Sequence, residues 1–396
     1  MNKPLTGVRV IELGQLLAGP FAGCMLGYFG AEVIKIEPPG GDPIRNWRKV
    51  KNGTSLWWHS LARNKKCISL NLKPPEGRDL VKKLLTSADV VVENFRPGVL
   101  ENWGLDPESM RRDNPQLIYA RISGFGQTGP YAAKAGFASA CEAISGFRYV
   151  NGFPGEPPVR PNLSLGDTVS GLHAVLGVLM ALRSRDQGNG GQVVDVALYE
   201  SMFNLLEAVV PEYDGVGEIR EPSGTTVTGI VPTNTYECRD GKFLVIGGNG
   251  DSIFVRLMRA IGRTDIAENP NYASNADRVI HQEFLDDVLK EWCKTLNIKD
   301  AMSILEESRV PCGPVYNVAD MMADPHFNER ELFERVEING EPLSIPAILP
   351  KLSRSPGATE WPGPNLASHT DDILHSIGIT EHDIKTLKTS GVVADV

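Results

Sequence analysis

The sequence predicts an α/β protein: a Rossmann-like, doubly wound, mostly parallel sheet followed by a second, smaller α+β domain. Three observations predict it. Short β-branched runs alternate with helical patterns through the first half of the chain. Some of these runs, such as Val90-Val91-Val92, are apolar at every position, as strands covered on both faces must be. A stretch rich in glycine, proline and charge at 211–229 then separates this pattern from one of different texture.

In order, strands are expected at 8–13, 32–37, 67–72, 89–95 and 117–126, with helices near 19–29 and 76–86 between them. Strand, helix and strand in succession make right-handed crossovers and a parallel sheet. A long helix is expected from Thr168 to Arg185, and GQVVDV then reads as one more strand feeding a helix at ALYESM. The large domain therefore covers 1–205, with a linker at 206–225. The smaller domain, 226–325, opens with a hairpin turned at Asp240-Gly241 and continues with helices near 251–261, 282–295 and 299–308. The remainder, 326–396, reads as an irregular, proline-rich return linker that rejoins the large domain and closes with two short helices, the second capped at Thr380.

With 396 residues the chain can bury two cores. A net charge of −9 argues against chain-wide attraction to nucleic acid, so an anionic ligand must be captured by local groups. The longest apolar run, Ala174 to Leu182, is far short of the roughly 20 residues that cross a bilayer. No membrane association is expected. The N-terminus enters strand-like VRVIEL without a charged-then-apolar leader, so a cytoplasmic location is expected. Cys24, Cys67, Cys141, Cys238, Cys293 and Cys312 are widely scattered without metal-ligand spacing, so neither a disulfide framework nor a metal site is expected.

The turn after the first strand, GQLLAGPF, lacks the GxGxxG arrangement of dinucleotide sites, and no phosphate loop, GxSxG elbow or HExxH helix occurs. Asp167, in SLGDTVSGLHAVLG, stands immediately before the long predicted helix. Two roles fit that position. An aspartate there can cap the helix, or the helix dipole can hold it ionised as a nucleophile. His173, nearly two turns on, reads as packing; Tyr199 and Glu200 can reach the same region from the helix after GQVVDV. Gly247, Gly248 and Gly250 form a turn after a strand whose amides can also stabilise an oxyanion.

The blocks LAGPFAGCMLGYFGAEVIKIEPPGGDP, NKKCISLNL, DVVVENFRPGVLENWGL, ISGFGQTGP, LGDTVSGLHAVLG, GQVVDVALYESM and VPCGPVYN, with ADPHF, occur in the order seen in one family. End to end, the chain resembles the class III coenzyme A transferases of the CaiB/BaiF type. The resemblance implies that Asp167 attacks an acyl-CoA thioester and carries the acyl group and then CoA as covalent intermediates, with no permanently bound cofactor. It also implies CoA contacts at Leu17 and Ala18, at Asn71, Leu72 and Lys73, at Asn94, Phe95 and Arg96, and at Lys134 and Phe137. Where the family often has an arginine after KIE, this chain has Pro38-Pro39, leaving Arg45 or Arg48 to supply that contact.

Related 2-methylacyl-CoA racemases place a histidine where this chain has Gly136-Phe137-Ala138, which argues against proton transfer at the α-carbon. The glycine run of formyl-CoA:oxalate enzymes is absent from SGTTVTGIVPTNTY. Crotonobetainyl-CoA:carnitine enzymes remain a further alternative. The overall pattern resembles transferases from succinyl-CoA to C4–C5 dicarboxylates such as itaconate, mesaconate, malate or glutarate, and implies an interlocked homodimer.

Overall fold

The computed structural model describes residues 3–394, in two compact units. The larger comprises the chain up to Phe147, Pro161–Glu207 and everything from Glu329; the smaller comprises Arg148–Arg160 and Ala208–Asn328. A helix, Val209–Val216, occupies part of the stretch read as a linker.

Six parallel strands form the sheet of the larger unit, in the order Lys65–Ser69, Glu32–Glu37, Arg9–Glu12, Val90–Glu93, Ile118–Ser123, Val193–Ala197. Numbered along the chain this is 3-2-1-4-5-6, the order of dinucleotide-binding sheets. Alternate residues of the central strands serve two cores, because successive side chains in a strand point to opposite faces. Ile11, Val91 and Tyr119 pack with Leu80 and Leu84 of the helix Pro75–Leu85 and with Ile373, Leu374 and Ile384 of the two C-terminal helices. Val10, Val90, Val92 and Ile118 pack on the other face with the helix Ala18–Tyr28 and the long helix Leu165–Ser184. Close approach on that face requires glycine. A Cβ on Gly171 would lie 2.8 Å from Phe21 and 3.0 Å from the Ala18 carbonyl.

Two expectations are corrected in the larger unit. The long helix starts at Leu165, so Asp167 is inside its first turn and is not its N-cap; with the following turn it runs to Asn189, long and apolar enough by length and composition to cross a membrane. The apolar stretch extends beyond the run from Ala174 to Leu182 because Gly and Ser carry it toward the start of the helix. One face of the helix is nevertheless committed to the sheet through Ala174, Val178 and Ala181. The stretch expected to be irregular contains a hairpin, Phe333–Ile338 with Glu341–Pro346, turned at Asn339-Gly340 with φ of +53° and +80°. Asn-Gly is the signature of such a turn, and Pro342 and Pro346 are tolerated because a two-stranded ribbon has only outer edges.

In the smaller unit, Phe243–Gly247 is the central strand of an antiparallel sheet with Thr233–Glu237 and Cys312–Pro314. Helices Asp251–Ala260, Gln282–Thr295 and Ile298–Glu307 cover a core of Tyr236, Leu244, Ile246, Leu257, Leu289 and Leu305.

Candidate active site

In an open parallel sheet a crevice forms at the carboxyl ends of two neighbouring strands whose connections leave in opposite directions. Here those strands are Arg9–Glu12 and Val90–Glu93. A cavity of about 390 Å³ opens there, walled by Gln15–Ala18, Asn94–Pro97, Ser123–Gly124, Lys134 and Gly136–Ala138, and Asp167 lies on its wall. A second cavity, about 330 Å³, shares Gln15 and Phe95 with it and is lined by Pro38, Pro39, Asn71, Leu72, Lys73 and Trp103. Together the two adjoining cavities gather Asp167 and all ten residues that the resemblance assigns to CoA.

Asp167 is half-buried at the third position of its helix, where the free amides and the dipole favour an anion. Ser164, the N-cap, makes no capping bond with its side chain. Instead the Gly166 amide donates to Glu142 Oε1 at 3.2 Å, from the neighbouring helix Ala138–Ile144. The approach at 166 is close: a Cβ there would lie 3.3 Å from Ala138 Cβ and from Glu142 Cγ, so these neighbours would have to give by a few tenths of an ångström. The adjacent Cys141 thiol donates to the Gly124 carbonyl, and burial, then the charges of Asp167 and Glu142, push its pKa up to about 11. It is therefore a thiol at neutral pH, and a thiol is a far weaker nucleophile than a thiolate.

Asn94 uses both ends of its amide to hold the opposite wall: Oδ1 accepts from the Gln15 amide and Nδ2 donates to the Gln15 carbonyl, each at 2.8 Å. The Phe95 amide donates to Glu93 Oε2 at 2.7 Å, and Glu93 is itself paired with Arg121. Phe95 meets Trp103 edge to face, framing the second cavity with an aromatic wall. Lys134 Nζ lies 3.4 Å from the ring centroid of Tyr131, which sets where this cation stands. Phe137, 71% exposed, begins the helix Ala138–Ile144 at the cavity rim.

Other expected residues are placed elsewhere. Arg45 is paired with Glu37 through two bonds, at 2.7 and 2.8 Å, and stacks 3.6 Å over Trp58, so it is not available to replace the missing arginine. Arg48 lies over Trp57, and neither arginine lines either cavity. Tyr199 donates to Glu200 at 3.0 Å, and neither is on the cavity wall, although Leu198 is. His173 is on the same helix as Asp167 but off the wall. Gly247, Gly248 and Gly250 belong to the smaller unit, where a Cβ on Gly248 would meet Leu257 at 2.5 Å. Glu142 and Gln15 line or support the site without any local signal in the sequence. Among the described residues no cluster of three His, Cys, Asp or Glu is placed to hold a metal.

Fold and site thus define a class: an α/β enzyme with a nucleotide-sized double cavity at the switch point and a carboxylate on its wall. The match to the model of CoA-transferase family III over residues 5–370 makes the assignment specific, and the chain belongs to that family. It is 45% identical over 396 residues to the succinyl-CoA–D-citramalate CoA-transferase of Chloroflexus aurantiacus, covering 99% of this chain and 98% of that protein. It is 39% identical to the alpha subunit of succinyl-CoA–L-malate CoA-transferase from Chloroflexus aurantiacus, covering 98% and 92%. A CAIB/BAIF family protein from Brucella suis matches with a TM-score of 0.83 at 34% identity, covering 95% of this chain and 100% of that structure. The protein is a CoA transferase.

Proposed function

We propose that this enzyme transfers CoA from succinyl-CoA to a C4–C5 dicarboxylate, with Asp167 as the covalent carrier. One observation carries the reading: Asp167 lies on the wall of a cavity shared with Arg96 and Lys134. An Asp167 oxygen attacks the thioester carbon and CoA thiolate leaves, forming an acyl-aspartyl anhydride. The thiolate attacks the aspartyl carbonyl of that anhydride, releasing succinate and leaving CoA as an aspartyl thioester. The acceptor carboxylate attacks this thioester and again expels the thiolate. Attack of the thiolate on the acceptor side of the second anhydride yields the new acyl-CoA and restores Asp167. Thioester energy is conserved as long as water is kept out.

The adenine moiety fits the second cavity, where Pro38, Pro39, Leu72 and Trp103 offer an apolar slot in place of the family's arginine, with Lys73 at its edge for a phosphate. Succinyl-CoA and dicarboxylates are the substrates named for the similar citramalate and malate enzymes. The amides of Gly247, Gly248 and Gly250 are proposed to cover the anhydride. No histidine lines the cavity, which disfavours the racemase alternative. The working form is proposed to be a homodimer, and the apolar outer face of the long helix supports it. Leu172, Leu176, Leu179 and Met180 are 41–62% exposed although the helix is apolar on its inner face as well. The reaction is placed in the cytoplasm, where the six free cysteines stay reduced.

The decisive experiment incubates the enzyme with succinyl-CoA alone, traps with hydroxylamine and locates the adduct by mass spectrometry. Modification of Asp167, absent in Asp167→Asn, is expected; an adduct on any other residue refutes the mechanism.

A further inference from the structure

Leu16, on the cavity wall, has φ +63°, a left-handed conformation that a leucine keeps only when its surroundings hold it there. The holding groups are buried charges. Asp42 Oδ1 accepts the Leu16 amide at 3.1 Å and the Ile44 amide at 3.0 Å. Asp42 Oδ2 lies 2.8 Å from Lys35 Nζ, which also donates to the Gly14 carbonyl at 2.8 Å and to Glu12 at 2.9 Å. Glu12 in turn lies 2.8 Å from Lys65, whose Nζ donates to the Pro20 carbonyl at 2.7 Å. Glu12, Lys35, Asp42 and Lys65 are each 0% exposed, and none lines either cavity. This one chain of alternating charges therefore grips the backbone at 14, 16 and 20 and brackets Leu17 and Ala18, which face the cavity.

We infer that Asp42, together with Lys35, is a positioning residue that holds the Gly14–Ala18 loop in the shape that receives the acyl-CoA. The inference rests on the reading that this cavity takes acyl-CoA. Well-packed apolar residues of similar volume often stabilise a core as well as a buried ion pair does, so what distinguishes this network is the set of bonds it makes to the loop backbone. Apolar residues cannot bond the amide of a left-handed leucine and two flanking carbonyls. Burial opposes the charge on Lys35, but Glu12, Asp42 and Glu37 outweigh it and hold this amine protonated well above the ordinary lysine range.

The test measures CoA affinity by titration calorimetry, and KM and kcat with succinyl-CoA, on full-length protein at a temperature where every variant is folded. Asp42→Ala is expected to weaken CoA binding and raise KM by about tenfold or more, with kcat changed far less, as releasing one left-handed residue implies. Asp42→Asn, which keeps an oxygen for the Leu16 amide, is expected to retain most of the affinity. Leu16→Gly removes the strain, so in the Asp42→Ala background it recovers part of the lost affinity, whereas in the wild type it does not improve binding. If Asp42→Ala fails to fold, the same cycle is run with Asp42→Asn, where a smaller loss and a smaller recovery are expected. A lower melting temperature with unchanged CoA affinity overturns the inference, as does an identical effect of Leu16→Gly in both backgrounds. Failure of the wild-type protein to bind CoA would instead refute the proposed function.

Discussion

At the end of the helix that carries Asp167, the proposed acyl carrier, a bond is made by a carboxylate from another element. Glu142 accepts the Gly166 amide from the neighbouring helix, so one of the amides that an N-capping aspartate would take is bonded by a residue 25 positions earlier than Asp167. Glu142→Ala is expected to lower kcat about tenfold with little change in KM, because the amide loses its acceptor and the helix end shifts by a fraction of an ångström. Glu142→Gln, which retains an acceptor, is expected to stay near wild type; equal losses in both variants, measured by steady-state kinetics, would contradict this. His369 carries a different expectation. Its Nδ1 accepts the Cys67 amide at 3.2 Å, which requires a neutral ring, and burial, then Lys66, lower its pKa against the weaker pull of Asp372. A base with a lowered folded-state pKa stabilises fully above its unfolded value of about 6.5, and that stability is lost as pH falls through the folded value. The melting temperature should therefore drop from about pH 7 to about pH 5, less steeply in His369→Asn.

The helix Ala18–Tyr28 shows how a strand and a helix share one small residue. A Cβ on Gly23 would lie 1.9 Å from Glu12 Oε2, so this glycine admits the buried carboxylate to the helix surface. Gly23→Ala is expected to destabilise by about 3 kcal/mol, from overpacking and a disturbed buried ion pair, measured by denaturant unfolding. A loss as small as that of an exposed substitution would show that Glu12 relaxes freely. Elements with strong local patterns were legible: the six strands of the larger unit follow β-branched runs, and the hairpin turn at Asp240-Gly241 is present with Gly241 at φ +73°. The start of the long helix was not, because Gly166 in its first turn reads as loop while its actual role is contact with Ala138 and Glu142. The Asn339-Gly340 hairpin stands where the surrounding prolines predict irregular chain, although its turn chemistry is in the sequence.

The long helix is apolar on both faces, yet one face lies open among the described residues of its own unit. A homodimer would cover it, and Leu176→Lys is expected to shift the protein from dimer toward monomer in sedimentation velocity. A wild-type monomer would refute the assembly. Sequence by itself determined the α/β class and the family blocks, and singled out Asp167 as the candidate carrier, because strand periodicity, turn chemistry and the order of motifs are written in neighbouring residues. Only the tertiary structure decided that the loops at 15–18 and 94–97, the turn at 134–138 and Asp167 share one cavity. It decided too that Arg45 is occupied by Glu37, that Glu142 ends the helix of Asp167, and that Asp42 reaches Leu16. The physical reason is the strand order. Placing the first strand beside the fourth brings together residues far apart in the chain, and no local pattern encodes which buried charge will meet which backbone amide.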